Sequence, residues 1–131
     1  MLAVRAVGTA ALRDASNQAE FISRASDVLG LRVEVISGLE EARLVQLGVQ
    51  LRWPHSTKRI LIVDIGGGSA EMILAEHGHF VEAFSKQLGA VRLTEMFLKS
   101  DRGDPREIAR MLRYILERIA GPIARLRASR R

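Results

Sequence analysis

An uninterrupted apolar strand that runs straight into three glycines constrains this chain more than any other feature. Residues 59–65, Arg-Ile-Leu-Ile-Val-Asp-Ile, have the composition of a strand buried on both faces. The chain continues as Gly66-Gly-Gly-Ser69, where the missing side chains let the backbone approach a ligand closely. Several consecutive N–H groups can then point toward one anion, and Ser69 adds a hydroxyl donor. Asp64 lies at the end of the strand, where open α/β sheets place ligand-binding groups.

Two interpretations of this loop stay open on spacing alone. A glycine-rich hairpin with a polar flank would need no ligand at all. Against that interpretation, a carboxylate between an apolar strand and glycines is costly unless it is paired or holds a metal. The loop matches neither the dinucleotide fingerprint nor the Walker loop, because both spacings differ.

Periodicity around the loop predicts an α/β chain with an open sheet. The first strand, at 3–9, is expected to be buried. Asn17 and Glu20 have the spacing of a capping box. The predicted elements are strands at 3–9, 32–36, 59–65, 72–75 and 80–84, a turn at 77–79, and helices over 17–29, 37–52, 91–97 and from 104 to an interruption at Gly121-Pro122.

Composition limits which cell compartments and which classes of partner fit this chain. The chain has no cysteine, which excludes disulfides and thiolate metal sites and fits a cytoplasmic protein. No apolar run approaches the ~18 residues of a membrane span, so no membrane partner is expected.

The C-terminal region of the chain is basic, since residues 99–131 hold 10 Lys and Arg against 4 Asp and Glu. That excess is either a solvated helix face or a surface that attracts polyanions, and without interleaved aromatic runs nucleic acid is not expected.

Two adjacent acids, Glu40 and Glu41, differ in their expected roles. Ser37 and Glu40 have the spacing of a capping box, which engages Glu40 with its own helix. Glu41 has no such role and is the better candidate for a general base that must reach a water. The alternative is that both acids simply stabilise the helix N-terminus through its dipole.

Arg13 is a candidate phosphate ligand. It lies just past the first predicted strand, near Asn17 at the next helix start. A planar guanidinium there can hold phosphate oxygens through its fork of donors. The alternative is a surface ion pair with Asp14 or Glu20.

These motifs, in this order, resemble the exopolyphosphatase and guanosine pentaphosphate phosphohydrolase (Ppx/GppA) family of the actin-like ATPase superfamily. Each stretch alone is weak, but the combination is highly specific and spans nearly the whole chain with compatible spacing. The matching stretches are Gly8-Thr-Ala-Ala-Leu-Arg13, Asn17, Ser37-Gly-Leu-Glu-Glu-Ala-Arg43, Asp64-Ile-Gly-Gly-Gly-Ser-Ala-Glu71 and Leu88-Gly-Ala-Val-Arg-Leu-Thr94.

The resemblance implies a function and a set of site residues. It implies release of the terminal phosphate from inorganic polyphosphate, or of the 5′ phosphate from guanosine pentaphosphate, with Mg²⁺. By position, Glu41 matches the catalytic base and Arg13 a phosphate-binding arginine. Gly66, Gly67, Gly68 and Ser69 match the second phosphate loop. Asp64 and Glu71 match the acidic groups that border the metal and the attacking water.

The resemblance also implies an architecture of paired ribonuclease-H-like domains with the site between them. Residues 1–53 correspond to the C-terminal part of the first domain, 54–58 to a linker, and 59–131 to the N-terminal part of the second. The full-length parent is expected as a homodimer.

Two departures from the family pattern bear on activity. Position 70, usually threonine, is Ala70, which removes a hydroxyl beside the phosphate loop. Family members also begin with an Asp-x-Gly-Ser-Asn-Ser loop on an early hairpin, and nothing in this sequence matches it. The chain is therefore expected to be an internal piece with little or no activity alone.

Two competing interpretations remain. One is a non-catalytic phosphate- or nucleotide-binding module, and the other is a partial gene model with no independent role. Replacing Glu41 by Gln separates the first from an enzyme, because it removes a base but changes the affinity of a binder only modestly. A broad, non-cooperative thermal transition would support the second.

Overall fold

The computed structural model describes residues 3–54, 58–99 and 103–128. Residues 55–57 of the predicted linker and Arg130 and Arg131 of the basic end lie outside these ranges. The predicted α/β composition is confirmed, with two separate sheets and flanking helices. Within the described ranges, no helix is long and apolar enough to cross a membrane.

The first half of the chain forms a small parallel sheet with three helices. Its elements are β1 Ala6–Gly8, α1 Ala10–Asp14, α2 Gln18–Leu29, β2 Val33–Val35 and α3 Gly38–Arg52. β1 and β2 pair in parallel. Gly30 ends α2 in the left-handed conformation at φ 64°, as a helix-terminating glycine does. The predicted capping role of Asn17 is wrong, because its side chain makes no cap hydrogen bond.

The apolar residues of this half are largely uncovered. The expectation of a buried first strand is wrong, because Val4 is 66% exposed and Val7 is 43% exposed. On α2 the apolar face is also open, and Val28 is 86% exposed. The described part of this sheet has only two strands, β1 and β2. A sheet of that size is too small to cover the apolar residues of β1 and of α2.

The second half forms a three-stranded antiparallel meander followed by two helices. Its elements are β3 Arg59–Ile65, β4 Ala70–Glu76, β5 His79–Lys86, α4 Ala90–Phe97 and α5 Pro105–Ala128. The strand order is β3-β4-β5. The predicted hairpin turn lies at His77 and Gly78, both at positive φ, and connects β4 to β5.

The core forms around the central strand β4, which lies between α3 and α5. Met72 and Leu74 face α5 and pack against its Leu126. The alternate residues Ile73 and Ala75 are fully buried and face the other side, where α3 packs. Burial on both faces therefore belongs to β4.

The prediction that β3 is buried on both faces is wrong. Leu61, Val63 and Ile65 are each 55–64% exposed and share the α5 side of the sheet. They form one wall of an apolar groove of about 500 Å³, with α5 on the other side. The composition of the strand could not reveal this, because β3 is an edge strand of the described sheet.

The predicted start of α5 is confirmed and its predicted interruption is wrong. The Asp104 carboxylate accepts a hydrogen bond from Arg106 N at 2.7 Å, and Glu107 accepts one from Asp104 N at 3.2 Å. The helix nevertheless continues through Pro122, which is buried within it. Proline removes one intrahelical bond. Packing of Leu126 one turn later offsets that loss.

The glycine loop and the start of α4 touch backbone to backbone. A Cβ placed on Gly89 would lie 2.3 Å from the carbonyl oxygen of Gly67. Gly89 has φ −69°, a value that any residue adopts. Space, rather than backbone conformation, therefore requires glycine at position 89.

Gly89→Ala is expected to destabilise the fold by about 1–3 kcal/mol, because the new methyl collides with immovable backbone. Gly48→Ala is the matched control, since a Cβ on this helical glycine of α3 meets nothing within 4 Å. That control should gain about 0.5–1 kcal/mol from helix propensity. Urea unfolding measures both, and equal midpoints for Gly89→Ala and the parent would contradict the contact.

Candidate functional site

Three polar residues form a row across the second sheet. Asp64 on β3 lies directly opposite Glu71 on β4, and Glu71 lies opposite Ser85 on β5. Residues directly opposite one another in antiparallel pairs share a face. This is the face on which α3 packs. The structure thus brings together the two carboxylates predicted to border a metal.

Glu71 is held by a residue that the sequence analysis missed. Only 1% of Glu71 is exposed, and the Ser85 hydroxyl donates to its Oε1 at 2.7 Å. Counting the register of the β4–β5 hairpin outward from its turn would not have identified Ser85 as the partner. A register shift lies between Leu74 and Ala75, and without it Phe84 would oppose Glu71.

The glycine loop is held by the first turn of α4. The carbonyls of Gly66, Gly67 and Gly68 accept hydrogen bonds from the backbone N–H groups of residues 90, 92 and 89 at 2.8, 3.1 and 3.3 Å. In a trans peptide, the N–H of the next residue points opposite to each carbonyl. The N–H groups of Gly67, Gly68 and Ser69 therefore all face away from α4. Such an array of donors suits an anion.

The other side of the loop lies against the first half of the chain. A Cβ on Gly68 would lie 3.0 Å from Cβ of Ala10, the first residue of α1. Ser69 is only 4% exposed. The loop is therefore enclosed between α4 and α1.

Arg13 and Glu41 form an ion pair, which neither alternative for Arg13 anticipated. Arg13 Nη1 donates to Glu41 Oε2 at 3.0 Å and to the carbonyl of Ile36 at 2.7 Å. Both side chains are mostly buried, 23% and 17% exposed. Glu41 has no capping role, as expected, but it has a partner that the sequence did not suggest, because its carboxylate is oriented by the candidate phosphate ligand.

Glu40 is engaged, as expected, but by a different partner. Its N–H donates to the Ser37 hydroxyl at 3.1 Å, which is one half of the predicted capping box. Its carboxylate instead accepts two bonds from Arg43. The hydrogen bond from Arg43 holds the pKa of Glu40 below its usual range. Glu40 therefore stays ionised and bound, which leaves Glu41 as the acid nearer the site.

A cleft of about 310 Å³ separates the two halves of the chain at this point. Of the predicted site residues, Arg13 and Ser69 line it directly. Glu41 adjoins it through Arg13, and Glu71 through Ser85. The lining residues are Ala10, Arg13, Asp14, Gly38, Leu39, Ser69, Ala83, Ser85, Lys86 and Gln87.

Ala70 does not face this cleft. It belongs to the apolar cluster with Leu88 and Leu93 on the α5 side of the sheet. A threonine at this position would place its side chain in the core. The expectation that Ala70 removes a hydroxyl beside the bound phosphate is therefore not supported.

The donor chemistry suits a hard cation. Within the part of the chain that the structure describes, no three His, Cys, Asp or Glu residues are grouped as a complete metal site. Asp64 and Glu71 offer oxygen donors only. Mg²⁺ is commonly bound by one or two carboxylates, with water and substrate phosphate completing its shell, so this pair fits it.

Comparison with known proteins shows the same family over nearly the whole chain. Residues 1–129 match the Ppx/GppA phosphatase family. Exopolyphosphatase 2 of Mycobacterium tuberculosis is 39% identical over 121 residues, which cover 88% of this chain and 38% of that protein. The guanosine-5′-triphosphate,3′-diphosphate pyrophosphatase of Photobacterium profundum is 46% identical over 96 residues, covering 73% of this chain and 19% of that protein.

A solved structure is similar in fold as well as in sequence. The exopolyphosphatase from Cytophaga hutchinsonii matches with a TM-score of 0.89 and 32% identity, over 99% of this chain and 41% of that protein. The likeness confirms the predicted fold class, a fragment of a larger α/β phosphatase fold. The chain spans less than half the length of each of these three relatives.

Ser85→Ala is expected to lower the free energy of unfolding by about 1–3 kcal/mol, because buried Glu71 loses its hydrogen-bond donor. Ser23→Ala is the control, since Ser23 is an exposed serine on α2. Chemical denaturation at neutral pH compares the two variants. Equal stability of both variants would show that the Ser85–Glu71 bond contributes nothing.

Proposed function

We propose that this chain, which belongs to the Ppx/GppA phosphatase family, supplies part of the active site of a phosphoanhydride hydrolase. Its substrate would be inorganic polyphosphate or guanosine pentaphosphate, from which the terminal or 5′ phosphate is released. The names of the relatives support these two substrate classes. The division into two ribonuclease-H-like parts, at residues 54–58, belongs to the same proposal and is favoured by the two separate sheets.

The orientation of the glycine loop carries the proposal. Three successive carbonyls are committed to α4, so the N–H groups of Gly67, Gly68 and Ser69 are preorganised on the opposite side. Arg13 reaches the adjoining cleft from α1. An anionic phosphate bound there would meet neutral donors from one half of the chain and a cation from the other. Donors fixed before the substrate arrives need no reorganisation during the reaction.

Each remaining residue then has a role. The bonds that the structure describes for Arg13 use Nη1, so the N–H groups of Nη2 and Nε would donate to phosphate oxygens while Glu41 stays oriented. Glu41 would position and deprotonate a water for in-line attack. Asp64 and Glu71 would hold Mg²⁺. When bound, the ion would neutralise the charge that develops on the phosphate oxygens.

Arg13→Met is expected to weaken binding of inorganic tripolyphosphate by about tenfold or more, because a charge-assisted contact is lost. Arg24→Met is the matched control. Arg24 also pairs with a glutamate, Glu20, but on the exposed face of α2. Isothermal titration with Mg²⁺ present measures both affinities. Failure of the parent chain to bind tripolyphosphate would overturn the proposed function.

Turnover should depend on Glu41 and not on its neighbour. The 131 residues alone are expected to release little phosphate from long-chain polyphosphate, because they span only 38% of the length of the exopolyphosphatase 2 that they match. Any release should fall by about 10²–10⁴ in Glu41→Gln. It should persist in Glu40→Gln. Robust processive hydrolysis by this chain would contradict the expected low activity, and release unaffected by Glu41→Gln would contradict its role as the base.

A further inference from the structure

Arg92, the third residue of α4, contacts both sides of the cleft. Its backbone N–H donates to the carbonyl of Gly67 at 3.1 Å. Its side-chain Nε donates to the carbonyl of Gly68 at 3.0 Å, and its Nη2 forms a short ion pair with Asp14. One guanidinium therefore joins the glycine loop to α1. No role in the proposed chemistry accounts for this arrangement.

The hydrogen bond from Arg92 to the Gly68 carbonyl affects the N–H group of the same peptide, which belongs to Ser69. The same carbonyl also accepts the N–H of Gly89 at 3.3 Å. A peptide held by a charged donor is both fixed in orientation and polarised. The N–H at the other end of this peptide belongs to Ser69, which lines the cleft. Arg92 therefore orients the Ser69 N–H and strengthens it as a hydrogen-bond donor for phosphate, without contacting the phosphate itself.

The ion pair between Arg92 and Asp14 affects the position of Arg13 on α1. Asp14 directly follows Arg13 on α1, so fixing its carboxylate fixes the last turn of that helix. Gln87 on the second half also donates to Asp14, at 3.3 Å. The side chains of Arg92 and Asp14 are 29% and 37% exposed, so the pair is partly shielded from water. Two elements distant in sequence are thus held at a set separation.

We propose that Arg92 is a positioning residue that sets the spacing between Arg13 and the glycine loop, and thereby the affinity of the cleft for a phosphate chain. The inference rests on the proposed function, because it assigns Arg92 to the same phosphate site. An ordinary exposed ion pair would contribute little and would leave affinity unchanged. The planar fork of arginine is needed, since a lysine ammonium cannot reproduce its paired directional bonds to a carbonyl and a carboxylate.

The test compares tripolyphosphate affinity, measured calorimetrically with Mg²⁺, across Arg92→Met, Arg92→Lys and Asp14→Asn. Each is expected to bind about tenfold more weakly than the parent. Arg125→Met is the control, because Arg125 on α5 forms an ion pair with Glu82 on β5 at 2.6 Å, away from the cleft and with a more exposed arginine. Its affinity should match that of the parent. Arg92→Lys should also keep the parent melting temperature, which separates positioning from a general loss of stability.

A double-mutant cycle tests whether Arg92 acts through Arg13. In an Arg13→Met background, Arg92→Met should cost clearly less affinity than it does in the parent, because the ligand it positions is gone. Full additivity would overturn that coupling. If Arg92→Met does not fold, the same cycle is run with Arg92→Lys.

The outcomes separate this inference from the proposed function. A parent chain that does not bind tripolyphosphate overturns both. A parent that binds, with Arg92→Lys and Asp14→Asn binding equally well, overturns the positioning role alone. An equal loss of affinity in Arg125→Met would show that any lost ion pair weakens binding, which also overturns it.

Discussion

The hydrogen bonds between the glycine loop and the first turn of α4 are the contacts on which the rest of the site depends. Three carbonyls in succession accept from the start of the helix, and Gly89 allows the two backbones to touch. This one contact decides which way the loop's N–H groups point. It also fixes the direction in which α4 leaves the loop, and hence where Arg92 can reach. A loop of glycines without that partner would be much less constrained in its orientation.

A second constraint lies in the register of the hairpin formed by β4 and β5. The tight turn at His77 and Gly78 sets the pairing at one end, and the irregularity at Leu74 and Ala75 then shifts it. Because neighbouring strand residues face opposite sides, that shift decides which residue meets buried Glu71. Ser85 supplies a hydroxyl there, where Phe84 would have left a buried carboxylate without a donor.

The pairing of Arg13 with Glu41 changes how the two candidate residues should be understood. As sequence motifs they were separate, a phosphate ligand and a free base. In the structure one nitrogen of Arg13 bonds both Glu41 and a backbone carbonyl, so the proposed base is held by the proposed phosphate ligand. The arginine and the carboxylate lie 28 residues apart, and each has closer charged neighbours along the chain. Asp14, which directly follows Arg13 in the sequence, forms its ion pair with Arg92 instead.

The sequence by itself determined what depends on neighbouring residues. The helix end at Gly30, the cap at Asp104, the hairpin at His77-Gly78 and the glycine loop after Asp64 are all signals read within a few positions, and all are present in the structure. Local signals could not show that β3 is an edge strand of the described sheet, or that α5 passes through Pro122. Those outcomes depend on which surfaces are available for burial. Only the tertiary structure decided the pairs Arg13–Glu41, Arg92–Asp14 and Glu71–Ser85, because a side chain's partner is set by strand register and helix packing between segments far apart in the chain.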